Sequence, residues 1–430
     1  MTYLPFDLPL ALTVITLLVF GLVMMYSASW DYSLAVYDDP GYMFGRQVLW
    51  LGVGLAAGFV ASVFKYTYWQ KLALPLMGVT IVALLSVLMF GEKYNGAIRT
   101  LFGGSVQPSE LAKLVTVIYL AVWLYARRDQ LNQWGFGLAP LIAILGIVGG
   151  LIVLQPDLSA AGTVILLGGM LFFLAGGDLR QIALLVGGVL LIGWLVVSVS
   201  ATGSARVQMY LIGLQNPLET SYHMQRALEA VIQGGWWGVG IGRSETKLTG
   251  LPVAPTDSIF AVIIEELGLL GGMVIVVLYG LLLWRALKIA QRAPDVLGRL
   301  LAVGCGLWLT LEAFINMGVM LHLLPFAGNA LPFISAGGSN LVVSLTAIGI
   351  LMNVSAAGVQ ESKRDKTPAA FQQVINWRSA LQPGAVRRAA QPRPQAAQTT
   401  SRRKRHATFD LRWWHRRRRV SRSGSRTSNP

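Results

Sequence analysis

Long runs of apolar residues, separated by short polar connections, make up most of the chain up to residue 360. A helix needs roughly 20 such residues to cross the hydrocarbon core of a bilayer, which is about 30 Å thick. We therefore predict an all-α polytopic membrane protein with ten transmembrane helices. The first run has no basic segment before it and no small-residue cleavage site, so we expect a retained helix. The predicted spans are residues 8–28, 47–64, 71–90, 109–126, 137–154, 159–176, 181–199, 264–284, 299–320 and 338–358.

One connection, residues 200–257 between the seventh and eighth spans, is far longer than the others. A connection of this length in a compact protein is usually functional. Its amphipathic stretch from Tyr222 to Ile232 predicts a helix, and a glycine-rich segment with Trp236 and Trp237 follows. We interpret the tryptophans as anchors at the level of the lipid headgroups. A nucleotide-binding loop is not expected, because no βαβ unit surrounds the glycines.

The even number of spans places both termini on one side of the membrane, and the charges of the loops indicate which side. Cytoplasmic loops carry more Lys and Arg than outer loops. With a cytoplasmic N-terminus, nine basic residues lie in inner loops and three in short outer loops. We therefore predict that both termini are cytoplasmic and that the long connection is extracytoplasmic. The inner residues are Lys65, Lys71, Arg127, Arg128, Arg180, Arg285, Lys288, Arg292 and Arg299, and the outer ones are Arg46, Lys93 and Arg99.

The composition agrees with this architecture and excludes several other classes of protein. Hydrophobic residues make up 54% of the chain and charged residues only 13%, whereas soluble domains carry about 25% charged residues. An ordinary soluble enzyme, a disordered chain and a disulfide-linked secreted module are therefore excluded. The single cysteine, Cys305, lies inside an apolar run, and the four histidines are scattered, so we expect neither a disulfide nor a zinc site.

The net charge of +15 belongs to the C-terminal segment, residues 361–430. That segment has 18 Lys and Arg against three acidic residues, while residues 1–360 have 17 of each sign. It is rich in Pro, Ala, Gln and Arg and has too few apolar residues for a core, so we predict a disordered cytoplasmic tail. Its arginine clusters beside Trp413 and Trp414 favour contact with anionic lipid or a cytoplasmic partner rather than nucleic acid.

Ionisable residues at membrane depth are costly and are therefore candidates for function. Glu110 and Lys113 lie three residues apart at the start of the fourth span, so they share one helix face. They form either a structural ion pair or part of a polar cavity that faces a phosphate or a sugar. Asp157, in a tight Gln-Pro-Asp turn, is either a helix cap or a functional acid. The full set is Glu110, Lys113, Asp157, Asp257, Glu265, Glu266 and Glu312.

Asp257 is the strongest catalytic candidate, because the long connection delivers it to the outer edge of the membrane just before an apolar run. A carboxylate there either caps the next helix or serves as a general base beside bound substrate. Arg243 and Lys247 lie shortly before it. Glu265 and Glu266 follow in the next helix, where we expect packing and loop anchoring.

A further candidate segment opens the last span. It contains Ser335, Gly337, Gly338 and Ser339. A Gly-Gly pair at a helix start exposes backbone N–H groups that can bind an anion. We therefore count these four residues among the candidates for substrate binding.

Five of these segments, in order, resemble the SEDS family (shape, elongation, division and sporulation), which includes the FtsW and RodA proteins of bacterial cell-wall synthesis. The resemblance extends over residues 10–358. The basic tail and the glycine-tryptophan segment look closer to the FtsW branch, which acts in division, than to the elongation branch. The segments are Gln107 to Lys113, Gln155 to Asp157, Gly234 to Gly242, Pro255 to Gly268, and Leu331 to Ser339.

The resemblance implies a peptidoglycan glycosyltransferase that polymerises lipid II at the outer face of the bacterial cytoplasmic membrane. The family's essential aspartate falls on Asp257, its acidic–basic pair on Glu110 and Lys113, and its Gln-Pro-Asp acid on Asp157. The resemblance also implies a class B penicillin-binding protein (a transpeptidase) as partner, together with other membrane proteins of division or elongation. Two alternatives stay open: a lipid II flippase, and a non-catalytic scaffold that activates the penicillin-binding protein.

In the implied reaction, Asp257 deprotonates the acceptor hydroxyl, which attacks the anomeric carbon of the donor with inversion. Undecaprenyl pyrophosphate leaves, and the charge that develops on it needs positive partners. Lys113, Arg99, Lys247 or a bound divalent cation (Mg or Mn) can supply that charge. No organic cofactor is expected, because the substrate arrives already activated.

Three positions depart from the family pattern. Pro255 stands where the family often has His, Ser258 where it usually has a bulky aromatic residue, and Ala336 where it usually has Tyr. These departures leave the candidate base in place and predict a different pocket around it.

Overall fold

The computed structural model describes residues 6–94, 97–100 and 107–365. Twelve α-helices and one two-stranded hairpin lie in these ranges, together with three single turns of 3₁₀-helix. The helices are α1 Leu8–Tyr37, α2 Tyr42–Val63, α3 Trp69–Phe90, α4 Pro108–Arg127, α5 Leu138–Leu154, α6 Leu158–Leu174, α7 Leu179–Val199, α8 Ala201–Gln215, α9 Tyr222–Gly234, α10 Ile259–Gln291, α11 Val296–Met320 and α12 Gly338–Asp365.

All ten predicted apolar runs are helical, and the chain is a polytopic membrane protein. In the described part of the chain, eight helices are long and apolar enough to cross a bilayer: α1, α2, α3, α4, α7, α10, α11 and α12. The other two, α5 and α6, have 17 residues each, which gives about 26 Å at 1.5 Å per residue. The number of ten crossings therefore stays a prediction.

A short hairpin departs from the predicted all-α architecture. Strands β1 Glu92–Tyr94 and β2 Ala97–Thr100 pair in antiparallel fashion in the connection between α3 and α4. The register shifts between Glu92 and Lys93. Seven strand residues in a polar connection give too weak an alternation to be recognised against the long apolar runs.

The buried centre of the fold is α11, which contacts α4, α6, α10 and α12. Trp308 on α11 is fully buried. The two helices α2 and α12 pack closely, because small residues face each other. A Cβ atom at Gly349 of α12 would lie 2.2 Å from the carbonyl oxygen of Gly58 of α2, so the backbones can approach this closely only with glycine there.

The long connection folds back onto α10. Its predicted helix is confirmed as α9, while α8 was not predicted because no long apolar run marks it. Helix α10 is broken at Gly268, which has φ 74° and ψ 178°. The glycine-rich segment pairs with the break: the Val239 N–H donates to Glu265 O at 2.9 Å and the Leu269 N–H donates to Gly235 O at 2.8 Å. Backbone groups freed by the break are satisfied in this way.

Candidate functional site

Asp257 lies half-buried at the end of the long connection, immediately before α10. The turn that carries it is closed on itself. The Ser258 hydroxyl donates to the carbonyl oxygen of Pro252 at 2.8 Å, and the Thr256 N–H donates to Val253 O at 3.0 Å. The turn therefore has a fixed backbone next to Asp257.

The segment before α12 holds the other side of this turn. The Ser335 hydroxyl donates to Thr256 O at 2.7 Å, and the Ala336 N–H donates to Pro255 O at 2.8 Å. Ser335, a residue that the sequence singled out, thus contacts the backbone directly before Asp257.

Helix α11 contributes a third contact. The side-chain amide of Asn316 donates to the carbonyl oxygen of Asp257 at 2.8 Å and to Asn329 O at 2.6 Å. Asn316 is fully buried. Sequence reasoning missed it, because an asparagine within an apolar run carries no signal for the residue that it will contact.

A histidine from α9 contacts the residue that follows Asp257. His223 Nε2 lies 2.6 Å from the Ser258 hydroxyl, and its ring packs on Phe326 with the centroids 4.4 Å apart. Burial, followed by the positive charge of Arg206, lowers the pKa of His223 to about 4. His223 is therefore neutral near pH 7. It was not among the predicted site residues.

Glu110 and Lys113 form the predicted pair inside a larger buried cluster. The Lys113 ammonium group lies 2.8 Å from Glu110 and 2.5 Å from Glu312 of α11. Asn340 of α12 donates to Glu110 Oε2 at 2.8 Å. These contacts join α4, α11 and α12. Glu312 was noted as an intramembrane acid, but its position in the chain gave no reason to place it beside Lys113.

Asp157 caps α6 and also contacts the start of α4. One carboxylate oxygen accepts from the Ala160 N–H at 3.2 Å. The other accepts from the Gln107 side chain at 3.3 Å and from the Ser109 hydroxyl at 3.4 Å. The Gln107 N–H donates to the Ser339 hydroxyl at 3.0 Å. The first residues of α4, α6 and α12 therefore meet at Asp157 and Gln107.

The predicted Gly-Gly segment packs against α2. The Gly337 N–H donates to the Gln47 side-chain oxygen at 3.3 Å, and the Gln47 amide donates to Ser335 O at 3.2 Å. A Cβ atom at Gly338 would lie 2.6 Å from the ring of Trp50. Gly338 thus allows α12 to begin against this ring, and the Gly337 N–H is directed at a protein side chain.

Lys247 contacts α1 and α10. Its ammonium group is 2.9 Å from Glu266 and also donates to the Ser27 hydroxyl at 3.1 Å. Only 5% of the Lys247 side chain is exposed. A cavity of about 630 Å³ lies beside it, lined by α1, the start of α2 and residues 241–248.

Glu265 holds the connection that precedes Asp257. Its carboxylate accepts from the Ser244 hydroxyl at 2.5 Å, from the N–H groups of Glu245 at 2.7 Å and Thr246 at 3.1 Å, and from the Thr246 hydroxyl. Four donors from one short segment neutralise the cost of burying this acid.

Two predicted features lie partly outside what the structure describes. Arg99 belongs to β2, but its side chain is not described, and the tail from residue 366 onward is not described either. Within the described ranges, no group of three or more His, Cys, Asp or Glu side chains is arranged to hold a metal ion.

The fold and the sequence both match a known family. The family model described as "Cell cycle protein", which covers FtsW, RodA and SpoVE, matches residues 8–359. The chain therefore belongs to the FtsW/RodA/SpoVE family.

Two curated proteins illustrate this similarity. The protein named "Probable peptidoglycan glycosyltransferase FtsW" of Thioalkalivibrio sulfidiphilus (strain HL-EbGR7) is 39% identical over 362 residues, which cover 82% of this chain and 90% of that protein. "Stage V sporulation protein E" of Bacillus subtilis (strain 168) is 35% identical over 354 residues, which cover 81% of this chain and 96% of that protein. The chain thus spans nearly the whole length of both relatives.

Solved structures with the same fold include one chain of a peptidoglycan synthase complex that coordinates polymerization and crosslinking. It superposes with a TM-score of 0.67 at 28% identity, covering 83% of this chain and 100% of that one. Rod shape determining protein RodA of Thermus thermophilus gives a TM-score of 0.62 at 27% identity, covering 83% of this chain and 98% of that one.

Proposed function

We propose that the protein is a peptidoglycan glycosyltransferase that polymerises lipid II into glycan strands during cell division. The names of its curated relatives support the reaction, and the FtsW relatives support the division role. The observation that carries the proposal is the turn around Asp257, which is fixed by α11, by the segment before α12 and by α9. A carboxylate on so constrained a backbone suits a role that depends on position.

In the proposed mechanism Asp257 is the general base. Its carboxylate accepts the proton of the acceptor sugar's hydroxyl as that oxygen attacks the anomeric carbon of the donor. The new glycosidic bond forms while the bond to undecaprenyl pyrophosphate breaks, and the electron pair of that bond leaves with the pyrophosphate. The attack comes from the opposite face, so the configuration at the anomeric carbon inverts.

The leaving pyrophosphate needs positive charge, and Lys113, Lys247 and Arg99 are the proposed sources. Lys113 and Lys247 each keep a carboxylate within 2.9 Å, so a phosphate would meet either of them as part of an ion-pair cluster. A divalent cation, Mg or Mn, is the other source in the proposal.

We propose that ten helices cross the bacterial cytoplasmic membrane, with both termini in the cytoplasm and the long connection outside. The distribution of Lys and Arg among the loops supports this orientation. A contact between two helix ends agrees with an even number of crossings between them: Arg285, near the end of α10, pairs with Asp7 at the start of α1 at 2.5 Å. These two helix ends must lie at the same face of the membrane.

We also propose a class B penicillin-binding protein as partner. The support is the similarity to a chain of a peptidoglycan synthase complex in which polymerization and crosslinking are coordinated. Other membrane proteins of division or elongation are further proposed partners, and the basic tail, residues 361–430, is proposed to bind anionic lipid or a cytoplasmic protein.

The test is polymerisation of purified lipid II by the full-length protein, with a class B penicillin-binding protein whose transpeptidase site is inactivated and with Mg²⁺ present. Asparagine caps helices as well as aspartate does but cannot accept the proton. We therefore expect Asp257→Asn to lower the polymerisation rate by about 10²–10⁴-fold. The matched control is Asp178→Asn, since Asp178 is an aspartate that caps α7; it should keep the wild-type rate.

The two alternatives are distinguished when the same two proteins are also tested for lipid II transport and for activation of the partner. Equal rates for wild type and Asp257→Asn would remove Asp257 as the base. If neither protein makes polymer but both move lipid II across liposomes, the protein is a flippase. If neither protein makes polymer or moves lipid II, yet both activate a partner whose transpeptidase site is intact, the protein is a scaffold.

A further inference from the structure

The residue after Asp257 is held by a side chain that the proposed mechanism does not use. We propose that His223 is a positioning residue that fixes Asp257 through the hydroxyl group of Ser258. The inference rests on the proposed role of Asp257 as general base. It concerns two residues on different elements: His223 on α9, and Ser258 at the junction of the long connection and α10.

The hydrogen bonds determine the direction of this contact. Ser258 is fully buried, and its hydroxyl has one proton, which it donates to Pro252 O at 2.8 Å. It therefore accepts from His223 Nε2 at 2.6 Å. His223 must then carry its proton on Nε2, which is the role of a neutral imidazole in one defined tautomer.

The Ser258 hydroxyl does not serve as an ordinary helix cap. Ser258 stands at the N-cap position of α10, yet its side chain accepts no hydrogen bond from the first turn of that helix. It closes the turn onto Pro252 and binds the histidine.

His223 fixes Ser258, the residue after Asp257, which the other contacts do not reach. Ser335, Ala336 and Asn316 bind carbonyl oxygens of residues 255–257. The contact from His223 is made to the next residue, 258. Together they fix the backbone on both sides of the catalytic carboxylate, and a misplacement of about 1 Å in such a group can reduce a rate by roughly 100-fold.

Helix α9 is itself held in place, so it can position the histidine. Ala227 and Ala230 of α9 are fully buried, and α9 packs along α10. A Cβ atom at Gly234 would lie 2.1 Å from the carbonyl oxygen of Ile264, so the end of α9 touches the backbone of α10. The His223 ring is also packed on Phe326.

The experiment uses the polymerisation assay with the full-length protein, measuring kcat and KM for lipid II. We expect His223→Ala to lower kcat by about 10–100-fold with KM nearly unchanged, because geometry at the base is lost while the substrate contacts stay. His223→Gln retains an N–H donor at similar reach and should restore kcat to within about threefold of wild type. Ser258→Ala should lower kcat at least as far, because it also removes the hydrogen bond to Pro252 O.

The double variant tests whether both residues act through one contact. His223→Ala with Ser258→Ala should be no slower than Ser258→Ala alone, because a shared contact can be lost only once. The matched control is His322→Asn. His322 lines the same 270 Å³ cavity as His223 but has φ 58°, which asparagine tolerates; its kcat should stay at the wild-type value.

Each other result overturns the inference. A wild-type kcat for His223→Ala, while Asp257→Asn is inactive, would refute the role of His223 and leave the proposed function intact. Additive losses of kcat in the double variant would show that His223 does not act through Ser258. The same conclusion would follow if His223→Gln had the wild-type melting temperature but did not recover kcat. A wild-type protein that makes no glycan would end the proposed function, and this inference with it.

Discussion

The Lys113 ammonium group is buried between two carboxylates, and this limits what it can do. Only 3% of the Lys113 side chain is exposed, and the carboxylates of Glu110 and Glu312 lie 2.8 and 2.5 Å away. Removing one partner of such a buried group costs about 3–5 kcal/mol. The cluster therefore holds α4 and α11 together, and a phosphate near Lys113 would also meet two negative charges.

His223 makes the stability of the protein depend on pH. Its pKa falls from 6.5 to about 4 in the folded protein. Between these two values the unfolded chain binds a proton at His223 and the folded chain does not. The free energy of unfolding therefore decreases as the pH falls through this window, and the decrease reaches about 3 kcal/mol near pH 4.

We expect His223→Gln to remove this pH dependence. The melting temperature of the wild type in detergent should fall more steeply between pH 6.5 and pH 4 than that of the variant, because glutamine does not titrate. The two proteins should have similar slopes above pH 7, which serves as the internal control. Parallel curves over the whole range would contradict the shifted pKa.

At the scale of elements, the break in α10 decides how the long connection is held. The segment from Gly235 to Gly240 pairs with the backbone on both sides of Gly268. Glu265, three residues before the break, binds residues 244–246. The start of α10 and the connection that leads to Asp257 thus form one packed unit.

Gly268→Ala should loosen this unit. Gly268 has φ 74°, and a Cβ atom there would lie 2.2 Å from the carbonyl oxygen of Trp236, so we expect a loss of stability of about 2–4 kcal/mol. The control is Gly280→Ala on the same helix, where no atom lies within 4 Å of an added Cβ. The measurement is the melting temperature of each variant. Equal melting temperatures would contradict the requirement for glycine at the break.

The elements themselves were largely predictable, for a simple reason. An apolar run long enough to cross the bilayer forms a helix, because its backbone N–H and C=O groups must hydrogen-bond within the segment. The ten runs and the amphipathic α9 are accordingly helical. Helix α8, the hairpin and the break at Gly268 lack such a signal, since they depend on what packs against them.

At the scale of the whole molecule, the charges of the loops predict cytoplasmic termini, and the Arg285–Asp7 pair puts the start of α1 and the end of α10 at one face. We expect a membrane-impermeant maleimide to label Glu219→Cys, in the long connection, on intact cells. Asp129→Cys, whose side chain is 90% exposed, should react only after permeabilisation. Cys305 is fully buried, so the wild type provides the unlabelled control. The reverse pattern would invert the topology.

The sequence by itself determined the class of protein, the places of the helices and the residues most costly to bury, because hydrophobicity and charge act through composition and spacing along the chain. The sequence identified Asp257, Asp157 and the Glu110–Lys113 pair as candidates for function. Only the tertiary structure decided which distant residues meet them. Glu312 is 199 residues from Lys113, and Asn340 is 230 residues from Glu110. No local pattern records such contacts, since each depends on how whole helices pack, and for the same reason only the fold placed His223 beside Ser258.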